Sequence, residues 1–397
     1  MLVIVAPGQG AQTPGFLEPW LEDPHYAERL GWLSAVADLD LVHYGTKADA
    51  ETIRDTAIAQ PLLVASSLVA ALQLFPHPSD AYGKVGAVAG HSVGELAVAA
   101  GARAITAEQA MVLVRERGRA MAAAAAATPT SMTAVLGGDR EEVLEKLATH
   151  GLTPANDNGP GQIVAAGTVE QLAALAADPP GKARLVPLSV AGAFHTTHMA
   201  PAVERLSTLA AAVTTHDPRT RVISNRDGHV VHDGREVLSR IVAQVANPVR
   251  WDLVMETMLD LGVTGMLEMP PAGTLTGIAR RAMKGVETFA LKTPDQLEDA
   301  RAFVTEHGAP SPMETTPTWR MLVSPSKGTF HQHAEVVEGG TIPAQSAIGA
   351  VAGLRDETPV LAPHGGTVVE WLVHDGDLVS PGQPLVRLHP HAQGALA

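Results

Sequence analysis

The residues best suited to covalent chemistry lie in one short turn at positions 90–94, which reads Gly-His-Ser-Val-Gly. The turn follows the apolar run 85–89 and leads into a helical pattern, an order that predicts a strand, a tight turn and a helix. Glycine on both sides of the serine permits a strained backbone and avoids collisions with the neighbouring strand and helix. A hydroxyl at a helix N-terminus lies where backbone N–H groups favour negative charge. Ser92 is therefore a candidate nucleophile, and a simple helix N-cap is the alternative interpretation.

Three further segments carry chemically useful groups. The run 1–5 predicts a short buried strand, and it ends in a Gly-Gln-Gly loop at 8–10 whose backbone amides can approach a ligand closely. Arg117 follows the capping pattern Thr106-x-x-Gln109, which predicts the start of its helix. His195 lies further along, in Ala-Phe-His-Thr-Thr-His-Met at 193–199.

The elements that must position these residues fall into two patterns. Apolar strand-like runs alternate with helical patterns through Ala123, which predicts an α/β sheet with a largely parallel core. After the alanine run 122–127, a β-α-β-β-α-β order extends to Leu188 and predicts a small ferredoxin-like insert. Within it we expect strands at 132–136, 162–166 and 183–188 and helices at about 140–150 and 168–177.

The order of motifs resembles that of the malonyl-CoA:acyl-carrier-protein transacylase family, which includes the acyltransferase domains of polyketide synthases. The likeness runs from Met1 to about residue 305. Its motifs are Gly-Gln-Gly-Ala-Gln at 8–12, Gly-His-Ser-Val-Gly-Glu at 90–95, Arg-Glu-Arg-Gly at 115–118, Ala-Phe-His-Thr-Thr-His-Met at 193–199 and Gln-Val-Ala-Asn-Pro-Val at 244–249. One loop departs from the pattern: the family usually has Glu-x-Gly-Pro-Gly where this chain has Glu-Met-Pro-Pro-Ala-Gly at 268–273.

The resemblance implies an α/β-hydrolase-like core over 1–128 and 189–305. It implies a ferredoxin-like insert over 129–188, with the catalytic cleft between the two. Ser92 would attack the thioester carbonyl of malonyl-CoA while His195 removes its proton, and the phosphopantetheine thiol of an acyl carrier protein would then attack the acyl-serine.

The resemblance also implies roles for the remaining motif residues. Main-chain and amide groups around Gln244, and not a carboxylate, would orient the imidazole, so Gln244 would take the third position. The backbone amides of Gln9 and Val93 would form the oxyanion hole. Arg117 would pair with the free carboxylate of the malonyl group. Phe194 would crowd the α-carbon and disfavour a methyl branch, which amounts to a preference and not an exclusion. The list of expected substrate-binding residues is Arg117, Phe194, Gln9 and Asn158, the last within the family-like segment 156–162.

Composition sets limits on the class of protein. The chain has 397 residues, 46% of them hydrophobic, which is enough for two or three domains of a soluble globular protein. It has no cysteine, which excludes disulfides and thiol catalysis. A formal net charge of −14 disfavours nucleic acid as a partner. The N-terminal run is too short for a signal sequence and no stretch approaches the length needed to span a membrane, so we expect a cytoplasmic protein.

An anionic partner must meet a local basic patch on such an acidic chain. Arg280 and Arg281, with Lys284 nearby, form the clearest one, and we expect it to attract an acidic carrier protein. A solvated helix face is the alternative.

The alternately spaced His331/His333 and His389/His391 could suggest metal ligation, but exposed strand or tail histidines are the favoured interpretation, and no metal is expected.

The C-terminal part predicts a separate domain. The Pro/Thr-rich stretch 306–318 predicts a linker, and an internal repeat follows it. Residues 323–330 recur as 361–368, and 336–342 recur as 373–379. Two strand-rich halves of this kind resemble the flattened β-barrel of biotinyl and lipoyl carrier domains, over 319–391.

That family modifies a lysine on the hairpin between its two halves, within Glu-Ala-Met-Lys. Here the corresponding stretch 352–355 is Ala-Gly-Leu-Arg, and the only lysine of the domain is Lys327. A guanidinium stays protonated and is a poor nucleophile, so neither biotin nor lipoyl attachment is expected.

Two other functions fit parts of the sequence. With water as the acceptor, the same residues would make an editing thioesterase for acyl carrier proteins, although the retained Arg117 argues against it. Alternatively, the C-terminal domain could make the protein a scaffold. The complete set of Gln9, Ser92, Arg117, His195 and Gln244 makes that the weakest interpretation.

Overall fold

A computed structural model describes residues 1–190, 192–308, 320–353, 356–363 and 365–390. The chain divides into two compact units, Met1–Met313 and Glu314–Ala397, which are treated separately below. The last helix of the first unit ends at His307, so the first two residues of the predicted linker are helical, and its residues 309–318 lie outside the described ones.

A six-stranded sheet forms the centre of the first unit. Five of its strands are parallel, and β8 pairs antiparallel with β7 at one edge. The order is β11-β10-β1-β2-β7-β8. β1 and β2 are buried along their whole length, as continuous apolar strands covered on both faces must be. The strands are β1 (Leu2–Ala6), β2 (Val85–Gly90), β7 (Arg221–Ile223), β8 (Val230–Val231), β10 (Gly265–Glu268) and β11 (Glu287–Ala290).

A second sheet in the same unit has the order β6-β3-β5-β4-β9. Its elements follow the order β-α-β-β-α-β between Thr130 and Pro187, with antiparallel pairing throughout, and β9 adds to β4 in parallel. The strands are β3 (Thr130–Gly137), β4 (Thr153–Asp157), β5 (Gln162–Thr168), β6 (Ala183–Pro187) and β9 (Val249–Arg250).

Helices surround the two sheets. The predicted capping box of α6 is present, with Thr106 and Gln109 bonding each other's backbone N–H groups. The helices are α1 (Pro24–Ala37), α2 (Leu41–Thr46), α3 (Thr56–Leu74), α4 (Pro78–Tyr82), α5 (Gly94–Gly101), α6 (Ala107–Ala127), α7 (Arg140–Thr149), α8 (Val169–Ala177), α9 (Ala200–Ala210), α10 (Gly234–Gln244), α11 (Trp251–Asp260), α12 (Thr274–Ala282) and α13 (Leu297–His307). Short 3-10 turns occur at Pro19–Glu22, Thr52–Arg54, Thr197–Met199 and Pro294–Gln296.

Helix α3 corrects one expectation from the sequence. Its 19 residues are long and apolar enough to cross a membrane, so the prediction that no stretch approaches that length was wrong. Its most apolar window is 72% buried inside the fold, where it packs against α6. A helix that is apolar all round is also what the core of a large globular unit requires.

The described part of the second unit consists of β-strands in two four-stranded sheets, β12-β19-β17-β14 and β16-β15-β13-β18. The sequence repeat maps β12–β15 onto β16–β19, and each sheet contains two strands from each half. Its core includes Phe330, Ile348 and Val368, all buried. The strands are β12 (Arg320–Val323), β13 (Gly328–Gln332), β14 (Thr341–Ile342), β15 (Ser346–Ala352), β16 (Glu357–Ala362), β17 (Gly366–Trp371), β18 (Leu378–Val379) and β19 (Pro384–Pro390).

Candidate active site

Ser92 lies in a strained turn between β2 and α5, as the sequence predicts. Its backbone φ is +53°, a left-handed conformation that non-glycine residues rarely adopt. A Cβ on Gly90 would lie 2.0 Å from the carbonyl carbon of Gly94, and one on Gly94 would lie 2.3 Å from the carbonyl oxygen of Ala6. Gly90 is therefore required for the start of α5 to lie so close to β2, and Gly94 for it to lie so close to the end of β1.

His195 is within hydrogen-bonding distance of the Ser92 hydroxyl. Its Nε2 lies 2.7 Å from Ser92 Oγ, and its Nδ1 lies 2.8 Å from the backbone oxygen of Gln244. A carbonyl can only accept, so Nδ1 carries the proton and Nε2 is free to accept the proton of the serine. Burial, reinforced by the charge of Arg117, lowers the pKa of His195 to about 3. The imidazole is therefore a neutral base at physiological pH.

Gln244 is the last residue of α10 and is buried, unlike an ordinary helix-surface amide. Its backbone oxygen orients His195, while its side chain bridges other groups. The side-chain Oε1 accepts from Arg117 Nη2 at 2.9 Å, and Nε2 donates to Glu95 Oε2 at 2.5 Å and to the backbone oxygen of Ser92 at 3.1 Å. Gln244 thus connects the nucleophile, the base and the arginine.

Arg117 lies near the middle of α6 and is 2% exposed. Its Nη1 donates to Gln60 Oε1 at 2.7 Å, and its Nη2 lies 3.4 Å from Ser92 Oγ. The Nε atom is buried and has no hydrogen-bond partner. Burial lowers the pKa of Arg117 to about 10, so the side chain still carries its charge at neutral pH. An unpaired donor on a buried cation next to the nucleophile suits an anionic ligand.

The loop after β1 lies against the nucleophile turn. The backbone N–H of His91 donates to the oxygen of Ala6 at 3.0 Å, and the side chain of Gln9 anchors the loop by donating to the oxygen of Arg54 at 3.1 Å. Among the described residues, no protein group accepts a hydrogen bond from the backbone N–H of Gln9 or Val93. A ligand oxygen would therefore displace no protein acceptor at these two N–H groups.

Asn158 and Phe194 also lie near the site. Asn158 Oδ1 is 2.9 Å from Nε2 of His91, the residue before the nucleophile, so the turn between β4 and β5 contacts the turn between β2 and α5. Phe194 is buried directly before His195, whose φ is +61°.

Sequence reasoning gave no role to three buried polar residues of this cluster. Asn225 Oδ1 accepts from the Ser92 backbone N–H at 2.8 Å, Gln60 holds Arg117, and Glu95 binds Gln244. Each had a visible signal: Gln60 and Glu95 interrupt apolar helices, and Asn225 comes just after the C-terminal end of a parallel strand, where sites of α/β sheets form.

Arg280 and Arg281 are not part of this cluster. Both are exposed in the last turn of α12, where Arg280 donates to Thr288 Oγ1 at 3.0 Å and Arg281 to Gln162 Oε1 at 2.8 Å.

The loop 268–273, which departs from the family's usual sequence, precedes α12. The buried carboxylate of Glu268 holds it by accepting hydrogen bonds from the N–H groups of Gly273, Leu275 and Thr276.

Two clusters that combine a histidine with carboxylates bear on metal binding. Ligand atoms of Glu287, Glu306 and His307 lie within 4.8 Å of one another, but both carboxylates are exposed, as acidic groups that bind no metal commonly are. His331 has an acidic companion that the sequence did not reveal, because its Nδ1 lies 3.6 Å from Asp375. His391 lies outside the described residues.

Comparisons with known proteins agree with this geometry. A family model described as an acyl transferase domain matches residues 3–304. The malonyl CoA-acyl carrier protein transacylase of Mycobacterium tuberculosis is 49% identical over 299 residues, covering 75% of this chain and 99% of that protein. The chain belongs to the malonyl-CoA:acyl-carrier-protein transacylase family.

A more distant member of the transacylase family and several solved structures match over the same region. The Bacillus subtilis transacylase is 32% identical over 305 residues, covering 75% of this chain and 95% of that protein. The crystal structure of the Mycobacterium tuberculosis transacylase superposes with a TM-score of 0.73 at 48% identity, covering 76% of this chain and 99% of that one. A malonyl-transacylase in complex with a type II polyketide synthase acyl-carrier protein has a TM-score of 0.69 at 28% identity, covering 76% of this chain and 99% of that chain.

Proposed function

We propose that this protein transfers a malonyl group from malonyl-CoA to the phosphopantetheine thiol of an acyl carrier protein, through an ester on Ser92. One observation carries the proposal: the buried Nε of Arg117 has no partner, while Nη2 of the same guanidinium lies 3.4 Å from Ser92 Oγ. A nucleophile and an open carboxylate-binding cation thus share one site. The similarity to named transacylases points to the same reaction.

In the first step, Ser92 Oγ attacks the thioester carbonyl while Nε2 of His195 takes the hydroxyl proton. The carbon–sulfur bond then breaks, and the proton passes from the imidazole to the departing CoA sulfur. Gln244 supports this exchange because its backbone oxygen keeps the proton of His195 on Nδ1. The backbone N–H groups of Gln9 and Val93 are the candidate donors to the oxyanion, and losing one such donor typically costs about a hundredfold in rate or more.

Recognition of the malonyl group falls to Arg117. A carboxylate beside Nε and Nη2 would give the buried guanidinium the partner that it lacks. We expect Phe194, which directly precedes His195, to limit substitution at the α-carbon. Asn158 contacts His91 in the nucleophile turn.

In the second step, the carrier thiol attacks the acyl-serine, His195 again moves the proton, and Ser92 is restored. We assign the docking of the acidic carrier to the exposed patch of Arg280 and Arg281. Both guanidiniums have polar partners, but neither lies within 4.0 Å of a carboxylate among the described residues.

Intact mass spectrometry tests the proposal. Brief exposure to malonyl-CoA should add one malonyl group at Ser92, and adding holo acyl carrier protein should move that group to the carrier. If free malonate accumulates and the carrier stays unloaded, the protein is an editing thioesterase. An absence of both an adduct at Ser92 and free malonate would refute both enzymatic assignments.

We also propose that residues 1–128 and 189–305 form an α/β-hydrolase-like core and residues 129–188 a ferredoxin-like insert, in a cytoplasmic enzyme. The order β6-β3-β5-β4 of the second sheet supports the insert.

For the C-terminal unit we propose a flattened biotinyl/lipoyl-like barrel that carries no prosthetic group. The exchange of strands between its two repeat halves supports the barrel. Lys327 precedes β13 in the first half and is not on the hairpin between β15 and β16. Of that hairpin, Leu354 and Arg355 lie outside the described residues. A docking or packing role fits such a domain, whereas a pure scaffold would leave the first unit's site unexplained.

A further inference from the structure

Glu95 is a buried carboxylate in the first turn of α5, three residues after the nucleophile, and it is 3% exposed. Both of its oxygens accept hydrogen bonds: Oε1 from the backbone N–H of Asn225 at 2.7 Å, and Oε2 from Gln244 Nε2 at 2.5 Å. Two N–H donors and the helix N-terminus favour an ionised carboxylate. Burial opposes them and raises the pKa of Glu95 to about 7.

The negative charge of Glu95 has a positive partner in Arg117. The two side chains are linked through one amide, because Gln244 donates to Glu95 from Nε2 and accepts from Arg117 at Oε1. Among the described residues of the first unit, two other carboxylates are buried, and both have their own partners: Asp157 pairs with Arg140, and Glu268 binds the start of α12. Glu95 is thus the buried anion that balances the buried guanidinium.

The other charged group that acts on Glu95 is Arg240, on α10. Arg240 is already engaged by Asp227 at 2.7 Å and by Glu236 at 2.7 Å. Asn225 and Gln244, which contact Glu95 directly, are neutral. A change of charge at Arg117 is therefore the change that Glu95 should sense most strongly.

A malonyl carboxylate arriving at Arg117 would place a second anion against one buried cation. Like charges in a poorly solvated site raise each other's pKa, and the weaker acid takes a proton. We propose that Glu95 is the resident counter-ion of Arg117 and that it takes up a proton when a malonyl carboxylate pairs with that arginine. The proton comes from solvent, and no further bond forms or breaks. This inference rests on the proposed function.

The test compares proton uptake during loading of the full-length enzyme with malonyl-CoA and with acetyl-CoA. Isothermal titration calorimetry between pH 7 and 8, in buffers of different ionisation enthalpy, gives the protons exchanged per acylated Ser92. Both reactions release CoA, so the difference between them isolates the carboxylate. We expect a net uptake of up to one proton for malonyl over acetyl, and none in Glu95→Gln.

Glu116→Gln is the matched control, because Glu116 lies beside Arg117 in sequence but pairs with Arg115 and Arg205 outside the cluster. It should behave as the unmodified enzyme does. Equal uptake with both thioesters, or uptake that persists in Glu95→Gln, would overturn the inference. If the unmodified enzyme forms no malonyl-Ser92 at all, the proposed function fails instead.

A second measurement needs no variant and so does not depend on Glu95→Gln folding. In an equilibrium mixture of malonyl-CoA and acetyl-CoA, the ratio of malonyl- to acetyl-enzyme should fall as pH rises from 6 to 8.5, because the ionised Glu95 competes with the substrate carboxylate. The ratio can fall by at most about tenfold for each pH unit by which malonyl loading raises the pKa of Glu95. A ratio that stays constant or rises would contradict the inference.

Discussion

Nδ1 of His195 lies 2.8 Å from the backbone oxygen of Gln244, and this contact takes the place that a carboxylate holds in many serine-based sites. A carbonyl fixes the tautomer of the imidazole as a carboxylate would, but it brings no negative charge. The imidazolium that forms during acyl transfer is therefore less stabilised, which agrees with the strongly lowered pKa of His195.

Replacing Ser92 by alanine should abolish covalent malonylation, because Ser92 is the hydroxyl that His195 contacts. Intact mass spectrometry after exposure to malonyl-CoA measures the adduct. Ser67→Ala is a suitable control, since Ser67 is buried in the same unit and its hydroxyl donates to the backbone oxygen of Pro270. A malonyl group that persists on Ser92→Ala would exclude Ser92 as the nucleophile.

Replacing Arg117 by alanine should weaken malonyl loading by about ten- to a hundredfold, the loss expected for a hydrogen bond to a charged group. Acetyl loading should suffer much less, because an acetyl group has no carboxylate to pair. The measurement is kcat/KM with each thioester, and Arg115→Ala, two residues earlier on the same helix, is the control. Equal losses with both substrates would show that Arg117 is only structural.

The low pKa of His195 predicts an unusual pH profile. A histidine with an ordinary pKa near 6.5 loses its base form as pH falls below that value. Here the pKa is lowered to about 3, so the neutral base persists and the rate of acetyl loading should stay constant between pH 8 and 5. Mass spectrometry of the acetyl-enzyme in samples quenched at set times measures this rate. A tenfold fall per pH unit beginning near 6.5 would show that burial does not control this group.

Reversing the charge of Arg280 and Arg281 to glutamate should raise the KM for the carrier protein and reduce its salt dependence, because the carrier is acidic. The loading of malonyl-CoA should not change, since neither residue contacts the site. Arg301→Glu, at another exposed position of the first unit, is the matched control. Identical carrier kinetics in the double variant and the control would dismiss this patch.

The C-terminal unit should remain unmodified when the protein is expressed with active biotin and lipoyl ligases. Its only lysine, Lys327, is not on the hairpin that those enzymes recognise. The intact mass of the protein measures this, and a mass increase equal to either group within 319–397 would contradict the prediction.

Glycine at 94 is demanded by the backbone of Ala6 on β1, which only the fold brings close. The sequence by itself determined the rest of the nucleophile turn, because glycine at 90 avoids a collision with the backbone of residues 94 and 95 that any strand–turn–helix of this kind would create. It also indicated the alternation of strands and helices, the capping box of α6 and the repeat in the second unit. These features depend on neighbours in the chain, so spacing alone shows them.

Only the tertiary structure decided which polar residues share the site. Gln60, Glu95, Asn225 and Gln244 come from four separate segments, and each is buried only because the sheet and helices close around it. The family resemblance pointed to Gln244 as the residue that orients His195, but the sequence could not show that its side chain joins Glu95 to Arg117. Burial and distance create these contacts and the pKa shifts that follow from them, and both are properties of the folded chain.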